Sequence, residues 1–258
     1  MEHLSAFSRY CRQIQIEEFG TEGQQKLWNS TVALVGCGGL GTVISNYLVR
    51  AGVGEIIIID PDIVELDNLQ RQVLFDEEDV RRKLPKAQAA AEKLRKINSQ
   101  VSIEPLIDIL SPRNIESIFK RVDIVFDGTD DMKTRFLIND ACVKLNIPWI
   151  YGGVVATYGT SYTIIPSETA CLRCFIDELP SPGDIPKCKE IGVLGSAVSM
   201  IASIEVTEGL KILIGKKEAL TGKLINVDVW SGSYDLFELE KRTSCPACGQ
   251  RRFEYLTQ

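Results

Sequence analysis

The chain has 258 residues and a formal net charge of −6, and 45% of its residues are hydrophobic. This balance is typical of a globular protein, and its acidity argues against a broad nucleic-acid-binding face, which needs clustered Lys and Arg. No segment approaches the roughly 18 apolar residues of a membrane span, and the N-terminus lacks the apolar core of a signal peptide. We therefore expect a cytoplasmic α/β protein that binds neither nucleic acid nor membrane.

Strand and helix signals alternate along the first 148 residues. In chain order they predict a helical segment (1–30), a strand (31–36), a helix (38–52), a strand (55–60), a helix (85–98), a strand (101–105), a helix (111–120), a strand (122–127) and a helix (131–145). This alternation is typical of a Rossmann-like, doubly wound, mostly parallel sheet. The rest of the chain predicts antiparallel strands (149–166), a long loop (169–191), an apolar helix (192–214) and two strands (223–239). We expect one continuous domain over residues 1–258.

A glycine-rich segment, GCGGLG at 36–41, joins the first predicted strand to a helix. Its glycines are Gly36, Gly38, Gly39 and Gly41. They let backbone N–H groups and a helix N-terminus approach a phosphate. Asp60 ends the next predicted strand, where a carboxylate can accept hydrogen bonds from ribose hydroxyls. A tight turn without a ligand is the alternative, and the pattern alone does not choose between NAD and ATP.

A polar cluster follows Asp60. Asn68, Arg71 and Gln72 can donate to phosphate oxygens, and Lys86 begins a predicted helix. Lys and Arg offset the charge of a triphosphate, and guanidinium matches phosphate geometry. Taken singly, each residue could be a solvated group at the end of a helix. A dehydrogenase has no evident use for the cluster, so together these residues favour ATP.

Asp127 is the last residue of the strand predicted at 122–127, and Asp130 follows that strand. Ligands of open α/β sheets bind outside the carboxyl ends of the strands, and Mg²⁺ prefers hard oxygen ligands. This position suits a carboxylate that binds a ligand such as Mg²⁺, with capping of the next helix as the alternative role for either residue.

Four of the eight cysteines form two C-x-x-C pairs, Cys171 with Cys174 and Cys245 with Cys248. Four thiolates from two such pairs can form a closed tetrahedral zinc site, and a redox pair is the alternative. Cys188 lies between two lysines, which favour a reactive thiolate, although an incidental exposed cysteine would look the same.

The other cysteines, Cys11, Cys37 and Cys142, are expected to be small apolar fillers. His3 is the only histidine, so histidine-based catalysis is not expected.

Five segments resemble the ThiF/MoeB/HesA family, relatives of the ubiquitin-activating enzymes. They are RYCRQI (9–14), GCGGLG (36–41), IDPDIVELDNLQRQ (59–72), LPKAQAAAEKL (84–94) and DGTDDMKTRF (127–136), in the order and spacing of the family. The resemblance implies an adenylyltransferase that uses ATP and Mg²⁺ to activate the C-terminal Gly-Gly carboxylate of a small ubiquitin-like sulfur-carrier protein. A separate persulfide donor would then supply sulfur.

The resemblance also assigns roles to individual residues. Asp60 would hold the ribose, Asp130 would hold the Mg²⁺, and the triphosphate would be bound by Asn68, Arg71 and Lys86. A structural zinc would be held by Cys171, Cys174, Cys245 and Cys248. Arg12 would reach the neighbouring subunit's site in a homodimer, and Cys188 could bond covalently to the carrier. The catalytic set is therefore Arg12, Arg71, Lys86, Asp130 and Cys188. Residues 1–148 would bind the nucleotide, and residues 149–258 the carrier and zinc. The family usually has Asn where Asp131 stands, which leaves the role of Asp131 open.

Several alternatives remain open. The segments WIYGG (149–153), SYTIIP (161–166) and DVW (228–230) are closer to ThiF of thiazole synthesis than to MoeB of molybdopterin synthesis, which favours a ThiS-type over a MoaD-type carrier. A related tRNA-modifying dehydratase should have a basic face. An NAD-dependent dehydrogenase would need a hydride-handling acid or base, and no residue is placed for it. A non-enzymatic zinc scaffold would leave the phosphate-binding cluster without a purpose.

Overall fold

Residues 7–181 and 188–257 are described by the structure, a computed structural model, without the side chains of residues 188 and 189. Within these residues the strands are β1 (Thr31–Val35), β2 (Glu55–Ile59), β3 (Ser102–Leu106), β4 (Ile124–Asp127), β5 (Trp149–Val155), β6 (Tyr158–Ile164), β7 (Leu224–Asp228) and β8 (Ser233–Phe237). They form one sheet in the order β3-β2-β1-β4-β5-β6-β7-β8. Neighbours from β3 to β5 are parallel, and those from β5 to β8 are antiparallel. The predicted Rossmann-like sheet that continues into antiparallel strands is thus confirmed.

Helices cover both faces of this sheet. In the described residues they are α1 (Cys11–Ile14), α2 (Gly20–Trp28), α3 (Gly39–Ala51), α4 (Glu77–Arg81), α5 (Lys86–Ile97), α6 (Ile115–Phe119), α7 (Met132–Leu145), α8 (Leu172–Phe175), α9 (Cys188–Ile191) and α10 (Gly195–Leu213). In the described part of the chain, no helix combines the length and apolar character that a membrane crossing requires.

Two hydrophobic cores lie on opposite faces of the sheet because successive strand residues point to opposite sides. Val32 and Leu34 of β1 pack into one core with residues of α3, α5 and α10. Ala33 and Val35 pack into the other core with residues of α6, α7 and the cysteine pairs. Runs of β-branched and aliphatic residues are therefore buried on both faces, as expected for parallel strands covered by helices.

Some predicted boundaries were wrong. The helix predicted at 111–120 begins only at Ile115, because Ser111 and Asn114 form a turn in which the Ser111 N–H group donates to Asn114 Oδ1 at 2.8 Å. The predicted N-terminal helical segment is divided into α1 and α2, and Gly20, with φ of 58°, begins α2. The loop predicted at 169–191 contains the short helices α8 and α9.

The sheet places the carboxyl ends of three parallel strands, β1, β2 and β4, next to one another. Val35 of β1 pairs with Ile59 of β2 on one side and with Asp127 of β4 on the other. The strand order reverses between β1 and β4, which makes their carboxyl ends the usual position of a ligand in such a sheet. The segments that follow β1, β2 and β4 therefore lie side by side.

Candidate nucleotide and metal sites

The glycine loop is shaped by close backbone packing. Gly36 has φ of 87°, and an added Cβ there would lie 2.6 Å from the carbonyl oxygen of Gly128. An added Cβ at Gly41 would lie 2.0 Å from the carbonyl oxygen of Gly36. Only glycine fits these two positions without moving the backbone. The loop is consequently held directly against the segment that follows β4.

The first turn of α3 has the character of an anion site. Gly38 is its N-cap residue, and no side chain caps the helix there. The first N–H groups of a helix have no partner within the helix, and its dipole favours negative charge at this end. The N-terminus of α3 is therefore available to a phosphate.

Asp60 lies beside this loop with 5% of its surface exposed. Its Oδ2 accepts a hydrogen bond from the Cys37 N–H group at 2.6 Å, and its Oδ1 accepts one from the Asp62 N–H group at 2.8 Å. Burial raises the pKa of Asp60, while the Cys37 N–H group and the Lys86 ammonium oppose that shift. Each carboxylate oxygen retains a lone pair that can accept from a sugar hydroxyl.

The predicted phosphate-binding residues lie at the same end of the sheet as the glycine loop. Lys86 begins α5, and its Nζ contacts Asp62 Oδ2 at 2.8 Å. Arg71 donates to the carbonyl oxygen of Asp67 at 2.9 Å, and Asn68 Nδ2 donates to the Asp67 carboxylate at 2.8 Å. Guanidinium and ammonium groups carry several donors each, so these contacts leave donors for a phosphate.

Two of these residues pack directly against the glycine loop. An added Cβ at Gly39 would lie 3.7 Å from Cγ of Arg71, and one at Gly38 would lie 3.8 Å from Nε2 of Gln72. Gln72 is buried, and its Oε1 has no hydrogen-bond partner. The structure therefore brings the predicted cluster and the glycine loop together.

The loop after β4 separates the roles of three acidic residues. Asp127 is fully buried and paired with Arg135 at 2.8 Å. Asp131 is the N-cap residue of α7, where its Oδ2 accepts from the Thr134 N–H group at 2.8 Å. The helix-capping alternative thus belongs to Asp131 and not to Asp127 or Asp130. The exposed Asp130 carboxylate fits a hard cation that phosphate oxygens also hold.

Four cysteines form a second, separate cluster. The sulfur atoms of Cys171, Cys174, Cys245 and Cys248 all lie within 4.8 Å of one another. Four sulfurs at about 2.3 Å from one zinc ion would lie about 3.8 Å apart. The Cys171–Cys245 distance is 3.5 Å and the Cys174–Cys248 distance is 3.4 Å. The donor set and its spacing fit zinc, and the cluster packs in the core opposite α3.

Arg12 lies far from the glycine loop of its own chain. Its neighbour Gln13 donates to the carbonyl oxygen of Ala51 at 2.9 Å, at the C-terminal end of α3. Helix α3 has 13 residues, which gives it a length of roughly 18–20 Å. The glycine loop is at its other end, so a role for Arg12 in a nucleotide site requires a second copy of the chain.

The remaining cysteines meet different surroundings. Cys37 and Cys142 are buried, as predicted for apolar fillers, but Cys11 is exposed because α1 turns it toward solvent. The side chain of Cys188 and residue His3 lie outside the described residues, so the predicted reactivity of Cys188 stays a prediction.

Sequence reasoning missed two buried charged residues. Arg135 stands within the DGTDDMKTRF segment (127–136), and its guanidinium contacts both the end of β4 with its following loop, through Asp127 and Thr129, and β5, through Gly152. Glu205 of α10 has no exposed surface and no partner for either carboxylate oxygen. For Glu205 the available signal was a charged residue in a largely apolar stretch of α10, whereas α7 contains other charged residues and gave no such signal for Arg135.

Comparison with known proteins gives a consistent family assignment. The sequence matches the ThiF family over residues 10–247. The sulfur carrier protein ThiS adenylyltransferase of Bacillus subtilis is 39% identical over 251 residues, covering 96% of this chain and 74% of that protein. The SAMP-activating enzyme E1 of Haloferax volcanii is 38% identical over 242 residues, covering 94% and 88%. The structure of E. coli MccB with ATP has a TM-score of 0.79 at 26% identity, covering 93% of this chain and 74% of that chain. The chain therefore belongs to the ThiF family and is, as its motifs predict, an adenylyltransferase.

Proposed function

We propose that this chain uses ATP to adenylate the C-terminal Gly-Gly carboxylate of a small ubiquitin-like sulfur-carrier protein. One observation carries the proposal: the glycine loop, Asp60, the phosphate-binding cluster and Asp130 lie together at the carboxyl ends of β1, β2 and β4. The names of the Bacillus and Haloferax relatives, and the ATP in the MccB structure, support it. Residues 1–148 would bind the nucleotide, and residues 149–258 would bind the carrier.

The acceptor tail would lie beside β5, beyond the residues of this strand that pair with β4. This strand pairs with β4 only through Trp149 and Ile150, yet it continues to Val155. No other strand of the described residues pairs with that side of β5. Gly152 and Gly153 lie on this stretch. A tail added here would direct its carboxylate toward the ends of β1 and β4, where the phosphates would lie.

The chemistry needs no general base. A carboxylate is already ionised at pH 7, so it can attack the α-phosphate of ATP directly and release pyrophosphate. Lys86 and Arg71 would offset the charge of the triphosphate, and Asp60 would fix the ribose. Asp130 would hold Mg²⁺, which supplies positive charge that stabilises the leaving pyrophosphate when it is bound. Catalysis would then consist of positioning and charge neutralisation, which agrees with a site that uses no histidine.

A ThiS-type carrier is favoured over a MoaD-type carrier by the segments at 149–153, 161–166 and 228–230 and by the name of the Bacillus relative. The name of the Haloferax relative refers to SAMP and not to ThiS, so the choice of carrier needs a direct test. A separate persulfide donor would act on the adenylate after this step. We also assign zinc to the four-cysteine cluster and a homodimer to the functional unit, because Arg12 lies at the wrong end of α3 to serve its own site.

Carrier-dependent exchange of labelled pyrophosphate into ATP tests the proposal. We expect exchange with a ThiS-type or MoaD-type carrier and none with the same carrier lacking its last two glycines. Calorimetry should detect binding of ATP with Mg²⁺ and no binding of NAD. Tight NAD binding without ATP binding, or exchange that ignores the carrier tail, would refute adenylation of the tail.

Two adjacent aspartates give a matched pair of variants for the site. Asp130→Ala should abolish exchange with little loss of stability, because it removes an exposed carboxylate at the proposed metal position. Asp131→Ala should retain exchange and lose about 1 kcal/mol of stability, because Asp131 caps α7. Near-normal exchange by folded Asp130→Ala would remove Asp130 from the proposed metal site.

A further inference from the structure

Arg135 is a buried cation that joins three segments of the candidate site. It lies on α7 with 7% of its surface exposed. Its Nε donates to Asp127 Oδ2 at 2.8 Å, at the end of β4. One of its terminal nitrogens donates to the carbonyl oxygen of Thr129 at 2.6 Å and to that of Gly152, on β5, at 2.5 Å. The guanidinium carbon also lies 5.1 Å from the centre of the Tyr151 ring.

Together Arg135 and Asp127 hold the loop that carries Asp130. Asp127 Oδ1 accepts from the Thr129 N–H group at 3.0 Å, while Arg135 binds the carbonyl oxygen of the same residue. The Asp131 N–H group then donates to Thr129 Oγ1 at 3.1 Å. The residues on both sides of Asp130 are thus fixed in direction, and their backbone determines where the Asp130 carboxylate points.

The contact with Gly152 extends this restraint to β5. Gly152 lies beyond the part of β5 that pairs with β4, on the stretch where the acceptor tail would lie. One planar guanidinium therefore fixes both the loop with the proposed metal ligand and the strand beside the proposed tail. Lysine could not reproduce this arrangement, because its ammonium is a single point charge without a planar set of donors.

We propose that Arg135 is a positioning residue that sets the Asp130 carboxylate, and with it the Mg²⁺ position, against the tail-binding side of β5. This inference rests on the proposed function. Arg135 acts by binding the backbone carbonyl oxygens of Thr129 and Gly152. Removing the guanidinium fork should loosen the loop around Asp130, while Gly128 stays packed against Gly36 and both Lys86 and Arg71 keep their places.

The test uses Arg135→Lys in the full chain, with two readouts that do not require turnover. In calorimetric titrations at fixed ATP, we expect the Mg²⁺ concentration for half-maximal ATP binding to rise at least tenfold. ATP affinity without Mg²⁺ should change less than twofold, since the phosphate cluster is intact. Without ligands, the backbone amides of Thr129 and Asp131 should exchange hydrogen faster than in the parent protein.

Arg173→Lys is the matched control. Arg173 is equally buried, pairs with Glu254 at 3.0 Å and lies over the rings of Phe136 and Tyr255, but it belongs to the segment of the cysteine cluster. A lysine there should lower the melting temperature without changing the Mg²⁺ dependence of ATP binding.

Two outcomes would overturn the proposal. One is a folded Arg135→Lys variant with the parent's Mg²⁺ dependence and amide protection; the other is an equal change in Arg173→Lys. If Arg135→Lys does not fold, Asp127→Asn takes its place, because asparagine has one oxygen for the two donors that Asp127 now accepts. Failure of every carrier to support pyrophosphate exchange would refute the proposed function alone, since Mg²⁺-dependent ATP binding still decides the role of Arg135.

Discussion

Replacing Glu205 by glutamine should reduce the dependence of the protein's stability on pH. Glu205 lies over Gly152, where an added Cβ would be 2.1 Å from Glu205 Oε1, and neither carboxylate oxygen has a hydrogen-bond partner. Burial raises its pKa well above the usual range, and the negative charge of Asp127 adds to the shift while Arg135 opposes it. Ser161, paired with Gly152 on the neighbouring strand, has a buried hydroxyl that also lacks a partner.

The sign and size of the effect follow from proton linkage. A carboxyl group whose pKa is raised in the folded state keeps a proton that the unfolded chain has lost. Folding stability therefore falls with rising pH, from the ordinary pKa of glutamate up to the raised pKa, by about 1.4 kcal/mol per pH unit. Glutamine does not titrate, so the stability of the variant relative to the parent protein should rise by about 1.4 kcal/mol for each pH unit within that window. Its unpartnered amide costs about 1–3 kcal/mol, independent of pH.

Urea unfolding at pH 5, 6 and 7 measures this difference. Glu208→Gln is the control, because Glu208 lies one turn further along α10 and is equally buried but fully partnered. Its carboxylate accepts from Lys211 at 2.6 Å, from the Thr221 N–H group at 3.1 Å and from Thr163 at 3.2 Å. We expect Glu208→Gln to be destabilised by about 1–3 kcal/mol. If the gap between Glu205→Gln and the parent protein stays constant from pH 5 to 7, the assignment of a proton to Glu205 is wrong.

Two further predictions concern the cysteine cluster and the glycine loop. Elemental analysis of unchelated protein should find one zinc per chain. Cys245→Ser should lower the melting temperature and leave ATP affinity largely unchanged, because the cluster joins distant segments and lies away from the glycine loop. Zinc-free protein of normal stability would contradict both predictions. Gly41→Ala should abolish ATP binding and cost at least about 1–3 kcal/mol in urea unfolding, since the new Cβ would lie 2.0 Å from the Gly36 carbonyl oxygen. Gly222→Ala, with φ of 66° and no atom within 4 Å of its Cβ, is the control and should retain ATP binding despite a cost of about 1–2 kcal/mol.

The parallel part of the fold was predictable because its signals are local. Continuous β-branched runs that end in glycine or aspartate mark buried strands, and the observed β1 and β2 each end one residue before the predicted end. Connectivity then places the segments after β1, β2 and β4 at the same end of the sheet, without knowledge of any contact. Gly36, Asp60 and Asp130 could therefore be assigned to one site from sequence.

The missed features depend on contacts between distant segments. Arg135 resembles an ordinary helical arginine until Thr129 and Gly152 are seen to offer carbonyl oxygens beside it. Asp131 could be identified as the helix cap only once α7 was known to begin at Met132, because three nearby aspartates all satisfy the capping preference. A one-dimensional pattern cannot distinguish these cases, since burial and partner geometry decide them.

Arg12 offers a test of the proposed homodimer that needs no structure of the dimer. An exposed arginine that does nothing would change stability by under about 0.5 kcal/mol when removed, with no effect on turnover. If Arg12 instead completes a partner's site, Arg12→Ala and Asp130→Ala should each be inactive alone but should regain activity when mixed under conditions of subunit exchange. In a mixed dimer one site would then contain both defects and the other neither, so about half the activity of an intact dimer should return. If Arg12 acted within its own chain, each site of the mixed dimer would keep one defect and the mixture would stay inactive. The length of α3, which separates Arg12 from its own glycine loop, argues against such action. Persistent inactivity in a mixture shown to contain mixed dimers would therefore reject the assignment of Arg12 to the partner's site.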